Sequence, residues 1–249
     1  MRLQLIRNAT MKLYINGKVI LTDPMLGKKD SMGSFGGFTR NPTVELTSDP
    51  FELINDVDFC LVSHMHPDHF DEWSSQHLPK HLKIICPPYD QQELIKKGFT
   101  NVEPINDILN IDGIEITRTP GQHGSGLILK MMGNVSGFVI KSQDNPTIYW
   151  VGDSILTNEV RETILLHKPN YVIAHSGGAS FPFFNQIIMD HIETVNIFNI
   201  LNPIKVIAIH MESLNHCKVS RNTLRNYATQ HNITDDLIIP EDGQTCDLN

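Results

Sequence analysis

Three imidazoles and one carboxylate stand within six consecutive positions of this chain. They follow the apolar run Phe59–Val62 and are His64, His66, Asp68 and His69. Neutral imidazole and carboxylate are ligands that zinc, iron and manganese accept, and the near absence of sulfur ligands argues against a closed structural zinc site. The pattern therefore predicts a metal site that keeps a position open for chemistry.

The apolar run before the cluster predicts the element that positions it. Residues 59–62 are rich in β-forming side chains and bounded by polar residues, which is typical of a buried strand. The cluster then lies on the loop at the carboxyl end of that strand. A tight turn there directs side chains 64, 66 and 68 toward one point, while His69 reaches a second. Ordinary surface histidines are the alternative, and the density of the pattern disfavours it.

Three later residues are further candidate ligands. His123 lies in the glycine-rich segment 121–124, and Asp153 and His210 each follow a strand-like apolar run. Taken singly, each has an ordinary interpretation, because a lone histidine is often a hydrogen-bonded structural residue. Asp153 followed by Ser154 also suits a helix N-cap, a role that is compatible with metal binding.

The order of these residues resembles that of a known family. The motif H-x-H-x-D-H after an apolar strand, followed by His123, Asp153 and His210, is similar to the signature of the metallo-β-lactamase-fold hydrolases. The segments Leu21–Leu26 and His210–His216 look like the subgroup that contains ascorbate-6-phosphate lactonase. The resemblance covers nearly the whole chain and implies an α/β fold, the four-layer αβ/βα sandwich. The residues alone indicate only a two-sheet α/β domain with ligands on loops at one edge.

The resemblance also implies a ligand set for two divalent ions. His64, His66 and His123 hold the first ion, Asp68, His69 and His210 hold the second, and Asp153 bridges them. Zinc is the first expectation, and manganese or iron is an alternative that the same ligands accept.

The chemistry expected of such a pair is hydrolysis by a metal-bridging hydroxide, since two cations lower the pKa of a shared water toward ~7. Two residues are then expected to be catalytic. Asp68 passes a proton to the leaving group, and Asp153 sets the separation of the ions. The predicted reaction class is hydrolysis of an ester, lactone, amide or phosphodiester.

Four residues are candidates for contact with substrate. His216 lies six positions after His210, and His175 stands at another strand end. Phe35 and Phe38 lie in residues 27–41, a glycine-rich stretch that predicts a long loop bordering the site. The alternatives are a loop histidine for His175 and a surface excursion for residues 27–41.

Composition bounds the class of protein. The 249 residues, 40% hydrophobic and 19% charged, predict one globular domain spanning residues 1–249. A formal net charge of −8 opposes nucleic-acid binding, which depends on clustered Lys and Arg. Four scattered cysteines fit a reducing compartment. Because the chain shows no signal-peptide pattern and no run of about 18 apolar residues, we expect a cytoplasmic protein without a membrane anchor.

The remaining pattern predicts alternating strands and helices. Asn16-Gly17 favours a tight hairpin, so the chain is expected to open in a sheet. Strands are predicted at 83–86, 114–118, 137–141, 147–151, 170–174 and 204–209, and helices at 71–80, 90–97, 155–167, 190–201 and 218–230.

The sequence favours metal-dependent hydrolysis of a small molecule, with a phosphorylated sugar lactone or an ester as one candidate substrate. Only 56 residues separate Asp153 from His210, which leaves no room for the inserted domain of the superfamily's nucleases. A phosphodiesterase is the alternative enzyme, and a non-catalytic metal-binding protein is the alternative of another class. A homo-oligomer is left open.

Overall fold

The computed structural model describes residues 1–202 and 204–249. Its strands are β1 (Arg2–Arg7), β2 (Thr10–Ile15), β3 (Lys18–Thr22), β4 (Phe59–Leu61), β5 (Lys83–Cys86), β6 (Val102–Pro104), β7 (Ile108–Ile111), β8 (Ile114–Pro120), β9 (Ser136–Ser142), β10 (Ile148–Trp150), β11 (Tyr171–His175), β12 (Lys205–Ile209), β13 (Leu237–Ile238) and β14 (Thr245–Asp247). The α-helices are α1 (Pro50–Ile54), α2 (Glu72–His77), α3 (Gln91–Lys96), α4 (Leu127–Met132), α5 (Asn158–His167), α6 (His191–Asn196) and α7 (Arg221–Gln230).

The strands form two mixed sheets of seven strands each. The first sheet has the order β14-β1-β2-β3-β4-β5-β6, and the second has the order β13-β12-β11-β10-β9-β8-β7. The first sheet is antiparallel from β14 to β3 and parallel from β3 to β6. Strands β10 to β13 of the second sheet are also parallel, so their carboxyl ends meet at one edge.

Helices cover the outer faces of both sheets. Side chains that alternate along one strand belong to different apolar clusters: Phe59 and Leu61 pack between the sheets, while Cys60 packs outward beneath α1, α2 and α3. In β12, Ile207 faces the other sheet and Val206 faces α5, α6 and α7. Burial on both faces explains the continuous apolar runs of these strands. The four-layer α/β sandwich expected from the sequence is confirmed.

Most predicted elements are present with shifted ends. Asn16 and Gly17 both have positive φ, as a tight hairpin turn requires. The helix predicted from residue 155 begins only after Thr157, whose side chain accepts a hydrogen bond from the Val160 backbone N–H. The helix predicted to residue 80 ends at His77, because Leu78 is already extended before Pro79.

Residues 27–41 form the long loop that the sequence predicts. All of them are described, and their backbones pair only at one bridge between Met32 and Asn41. Among the helices of residues 1–202 and 204–249, none is long and apolar enough to cross a bilayer.

Candidate metal centre

The first sheet contributes the residues of the predicted motif. His64 to His69 lie on the loop that follows β4, between that strand and the start of α2. The His69 and Phe70 backbone N–H groups both donate to the His66 carbonyl, at 2.9 Å each. This tight turn gathers the side chains of His64, His66, Asp68 and His69 on one side of the loop, as the sequence predicts.

The second sheet contributes the other three candidates. His123 follows β8, Asp153 follows β10, and His210 follows β12. Strands β10 and β12 are both parallel to β11, so Asp153 and His210 emerge at the same edge. His210 has φ 61°, a backbone conformation that is uncommon for residues other than glycine. The candidate site therefore lies across the edges of both sheets.

One group of imidazole nitrogens converges at His64, His66 and His123. Their ligand atoms lie within 4.8 Å of one another. His64 Nε2 is 3.0 Å from His66 Nδ1, a separation close to that of two nitrogens on one tetrahedral ion. The Asp153 carboxylate approaches this group, with Oδ2 3.3 Å from His123 Nε2.

A second group surrounds His69 and His210. Asp68 Oδ2 lies 3.4 Å from His69 Nε2 and 3.3 Å from His210 Nε2. Asp153 Oδ2 is 3.2 Å from His69 Nε2, and Asp153 Oδ1 is 3.6 Å from His210 Nε2. The structure thus brings all seven predicted ligands together, and Asp153 lies between the two groups.

A buried carboxylate on β3's end orients two of the imidazoles. His69 Nδ1 donates to Asp23 Oδ2 at 2.6 Å, so its Nε2 faces the cluster. Ser63 donates to the same carboxylate through its Oγ at 2.6 Å and its N–H at 2.7 Å. The Ser63 hydroxyl in turn accepts from His64 Nδ1 at 2.9 Å. A carboxylate behind a ligating histidine fixes the ring's tautomer and raises its basicity as a ligand.

Three further hydrogen bonds complete this orientation. His123 Nδ1 donates to the Ile187 carbonyl at 2.8 Å, which leaves Nε2 for the cluster. His175 is buried at the end of β11, and its Nε2 accepts from the Trp150 indole N–H at 2.9 Å. The proton on His175 must then be at Nδ1, which donates to Asp153 Oδ1 at 2.5 Å. His175 therefore lies behind Asp153 and holds its carboxylate in place.

The charges within the cluster favour bound cations. Burial alone would raise the pKa of Asp153, but the surrounding imidazoles, His69 first among them, hold it well below its usual range. Burial alone would lower the pKa of His210, but the carboxylates of Asp153 and Asp68 raise it to about 10. Buried oxygen and nitrogen donors that attract positive charge and face one another are a donor set for divalent metal ions.

A small cavity opens onto this cluster. Its volume is about 170 Å³, and it is lined by Phe35, His66, Pro67, Asp68, His123, Met132, Asp153, Phe181 and His216. The His216 ring lies 5.1 Å from the Phe35 ring and 5.4 Å from the Phe181 ring, measured between centroids. Burial lowers the pKa of His216 to about 4, so its imidazole is neutral at neutral pH.

Not every predicted substrate contact borders this cavity. Within residues 1–202 and 204–249, the lining includes Phe35 and His216 but neither His175 nor Phe38. His175 is enclosed behind Asp153, and the Phe38 side chain is fully exposed to solvent.

Sequence reasoning missed several residues of the site. Phe181 and Met132 line the cavity from a loop and from the short helix α4, where no pattern marks them. Asp23 belongs to the segment Leu21–Leu26, but the sequence pattern predicts no role for its carboxylate. The available signal was an aspartate directly after a strand, the position that Asp153 also occupies.

Comparisons with known proteins agree with this geometry. Residues 18–211 match the model of the beta-lactamase superfamily domain. The UPF0173 protein YddR of Bacillus subtilis (strain 168) is 31% identical over 98% of this chain and 99% of its own length. A UPF0173 metal-dependent hydrolase of Pyrococcus horikoshii is 30% identical over 79% of each chain.

Two solved structures are similar over the whole chain. An isothiocyanate hydrolase from Delia radicum gut bacteria has a TM-score of 0.93 and 34% identity, covering 100% of this chain and 99% of that one. A possible metal-dependent hydrolase from Veillonella parvula DSM 2008 has a TM-score of 0.96 and 32% identity, with the same coverage.

Two packed sheets with a histidine and aspartate cluster across their shared edge define a metal-dependent hydrolase of the metallo-β-lactamase superfamily. Within that superfamily, the chain belongs to the UPF0173 family of metal-dependent hydrolases.

Proposed function

We propose that this enzyme holds two divalent metal ions and hydrolyses a small, uncharged, largely apolar electrophile. The observation that carries the proposal is the convergence of seven buried donors, from both sheets, beneath a small cavity with aromatic walls. His64, His66 and His123 would hold one ion, Asp68, His69 and His210 would hold the other, and Asp153 lies where it could serve both. Zinc is the preferred ion for these ligands, with manganese or iron as alternatives.

When bound, the ions would supply the Lewis acidity that lowers the pKa of a water and polarises an electrophile. The side chains of this protein hold the metal ligands in position and carry protons. Asp153, held by His175, keeps the two groups of ligands together, and Asp23 and Ser63 fix the orientation of His69 and His64. Among the described residues, Asp68 is the only acidic side chain besides Asp153 in the cavity lining, which supports a role for it in carrying a proton between water and leaving group.

The cavity walls favour an uncharged substrate. Its lining contains no Lys or Arg among the described residues, and Phe35, Phe181 and Met132 supply apolar surface. A volume of about 170 Å³ accommodates a small reacting group with part of an apolar substituent. A phosphorylated or otherwise anionic substrate would enter this cavity without a cationic side chain to pair with.

An isothiocyanate fits these walls, and the solved structure that is 34% identical to this chain is that of an isothiocyanate hydrolase. The reacting carbon of R–N=C=S is electrophilic and uncharged. Addition of water across the C=N bond forms a thiocarbamic acid, which divides into the amine R–NH₂ and carbonyl sulfide. The amine nitrogen gains the protons, and Asp68 is the residue placed to deliver one.

The other substrates predicted from the sequence can be compared by how well they suit the residues that line the cavity. A neutral lactone or ester remains compatible with the cavity. A substrate like that of ascorbate-6-phosphate lactonase carries a phosphate remote from its reacting carbonyl, and the described side chains of the cavity lining include no Lys or Arg to bind it. A phosphodiester would instead place its reacting phosphate against the metal ions, so the substrate panel decides on that alternative. A non-catalytic metal-binding role would leave the open cavity beside the cluster unused.

The test is a substrate panel on metal-loaded protein. We expect turnover of 2-phenylethyl isothiocyanate at least tenfold above that of a phosphorylated sugar lactone and of bis-p-nitrophenyl phosphate, with neutral lactones and esters measured in parallel. Release of primary amine is the assay for the isothiocyanate. Removing the metal with a chelator should abolish turnover, and adding zinc or manganese should restore it.

The panel separates the alternatives. Turnover that prefers the phosphorylated lactone or the phosphodiester would contradict the uncharged-substrate proposal. Absence of turnover on every class, in protein with a full metal complement, would instead support a metal-binding role without catalysis.

The two phenylalanines of residues 27–41 should behave differently. Phe35 lines the cavity, whereas Phe38 is fully exposed. We therefore expect Phe35→Ala to raise KM by about tenfold for an aromatic substrate, the size of effect of losing one buried aromatic contact. Phe38→Ala is the matched control and should leave KM within about twofold. Equal effects of the two substitutions on KM would contradict this assignment of the wall.

The remaining expectations concern the whole chain. We propose that residues 1–249 act as one domain, because the cluster between the sheets includes Leu3 near one end of the chain and Leu248 near the other.

We also propose a small-molecule substrate rather than nucleic acid, given the net charge of −8. A cytoplasmic location stays a prediction, with which the free cysteines of the described residues agree. Whether copies of the chain form a homo-oligomer stays open.

A further inference from the structure

The side chain of Asn215 forms hydrogen bonds to one loop, residues 34–41. Its Oδ1 accepts from the Phe35 N–H at 3.2 Å and from Asn41 Nδ2 at 3.1 Å. Its Nδ2 has three acceptors in the same loop: Ser34 Oγ at 2.6 Å, the Thr39 carbonyl at 3.0 Å and the Gly36 carbonyl. We call these contacts the Asn215 network.

The backbone of Asn215 adds to the same attachment. Its N–H donates to Asn41 Oδ1 at 2.9 Å, and Asn41 Nδ2 also donates to the Gly33 carbonyl at 3.1 Å. Because a side-chain amide has two N–H donors and two acceptor lone pairs, Asn215 uses its full hydrogen-bonding capacity within this loop. No other residue type of this size offers donors and acceptors in that combination.

The loop so attached carries one wall of the cavity. The Phe35 ring lines the cavity and lies edge-on to the His216 ring at 5.1 Å. A Cβ built on Gly36 would lie 3.8 Å from the His216 Cβ, so the loop backbone also approaches this histidine. Residues 34–39 have no strand or helix of their own, and a short irregular segment stays ordered only when specific bonds offset its conformational entropy.

We propose that Asn215 is a positioning residue that holds Phe35 against His216 and thereby sets the enzyme's preference for substrates with an aromatic or bulky apolar substituent. Asn215 acts through Phe35 and does not contact substrate. The inference rests on the proposed function only in taking the cavity as the substrate site.

The first experiment measures the loop itself. Hydrogen exchange of residues 32–41 should accelerate at least tenfold in Asn215→Ala, while the rest of the chain keeps wild-type rates. Asn215→Asp should give an intermediate acceleration, since it keeps the acceptor for the Phe35 N–H and loses both amide donors. The matched control is Asn145→Ala, which removes a loop amide that donates to Ser142 Oγ and the Gln143 carbonyl, in the turn between β9 and β10. That variant should leave residues 32–41 unchanged.

The second experiment measures the preference without relying on turnover. Zinc-loaded protein is titrated with 2-phenylethanethiol and with ethanethiol, whose sulfur is a zinc ligand, so only the phenyl ring differs. Wild-type protein should bind the phenyl compound about tenfold more tightly, the effect of one aromatic contact. In Asn215→Ala the ratio should fall to about twofold with an unchanged zinc content, and Asn145→Ala should keep the wild-type ratio.

A double-mutant cycle distinguishes a positioning role from general destabilisation. Phe35→Leu should lower the thiol ratio as Asn215→Ala does, and the combined variant should be no worse than either alone, because both remove the same wall. Additive losses would overturn the inference. Persistence of the phenyl preference in Asn215→Ala, or its absence from wild-type protein, would also overturn it.

Failure of the proposed function has a different signature. It appears as lack of turnover in the substrate panel, whereas hydrogen exchange and thiol binding need no turnover. If Asn215→Ala does not fold, Asn215→Asp and Phe35→Leu carry the same comparison.

Discussion

Asp153→Ala is expected to empty both metal positions together and to abolish hydrolysis. The Asp153 carboxylate contacts His69 and His123 through Oδ2 and approaches His210 through Oδ1, so it belongs to both groups of ligands. Two divalent cations a few ångströms apart repel each other strongly in a buried site, and a shared carboxylate offsets that repulsion. Its removal should lower occupancy at both positions rather than at one. Metal analysis of the folded variant, paired with an activity assay, is the measurement.

The matched control for this substitution is Thr157→Ala. The sequence allowed Asp153 to be a helix cap, but the cap of α5 is Thr157. Thr157→Ala should cost about 1 kcal/mol of stability and leave the metal content unchanged. An Asp153→Ala protein with full metal occupancy and wild-type turnover would show that the two-metal assignment is wrong.

Asp23→Ala is the second substitution with a large expected effect. It leaves the His69 Nδ1–H, the Ser63 N–H and the Ser63 hydroxyl without their acceptor in a fully buried position. His69 then loses the partner that fixes its orientation, so metal affinity should fall by about 10- to 100-fold. Breaking a buried interaction of this kind should also cost about 3 kcal/mol of stability. Competition with a chelator measures the affinity, and thermal unfolding of the metal-free protein measures the stability.

Asp71→Asn is the control for Asp23→Ala. Asp71 is also a buried aspartate, but its side chain accepts from the Ser74 N–H at the start of α2 and from the Gly27 N–H, and neither partner is a candidate ligand. Its substitution should change stability without changing the affinity for metal. Equal losses of affinity in the two variants would argue that general destabilisation, rather than the Asp23–His69 bond, governs metal binding.

The sequence predicted which candidate ligands lie together because these residues follow strands in a recognisable order. His64 to His69 come directly after the apolar run of β4, and Asp153 and His210 each follow a strand buried on both faces. Parallel pairing of β10 and β12 with β11 brings strand ends that are distant in sequence to one edge. That convergence is a property of the sheet and needs no detailed side-chain information.

The residues around the ligands were harder to predict, since their roles depend on contacts between distant segments. The Asp23–His69 bond joins positions 46 residues apart, and the bond from Phe35 to Asn215 joins positions 180 apart. The position of His175 at a strand end predicts a contact with substrate. The structure shows instead that His175 Nε2, the nitrogen that does not bond to Asp153, already accepts from the indole N–H of Trp150 on the neighbouring strand. Helix ends were likewise displaced where a cap such as Thr157 lay inside a helix-like pattern.

The division of ligands between the two sheets has a thermodynamic consequence. His64, His66, Asp68 and His69 come from one sheet, and His123, Asp153 and His210 come from the other. The proposed ions would cross-link the two halves of the molecule, and the unfolded chain offers no such arrangement. By mass action, an ion at a free concentration 1,000 times its dissociation constant adds about 4 kcal/mol to folding stability. If the proposed ions bind, the free-metal level of the surrounding compartment would set the folding equilibrium of the sandwich as well as its activity.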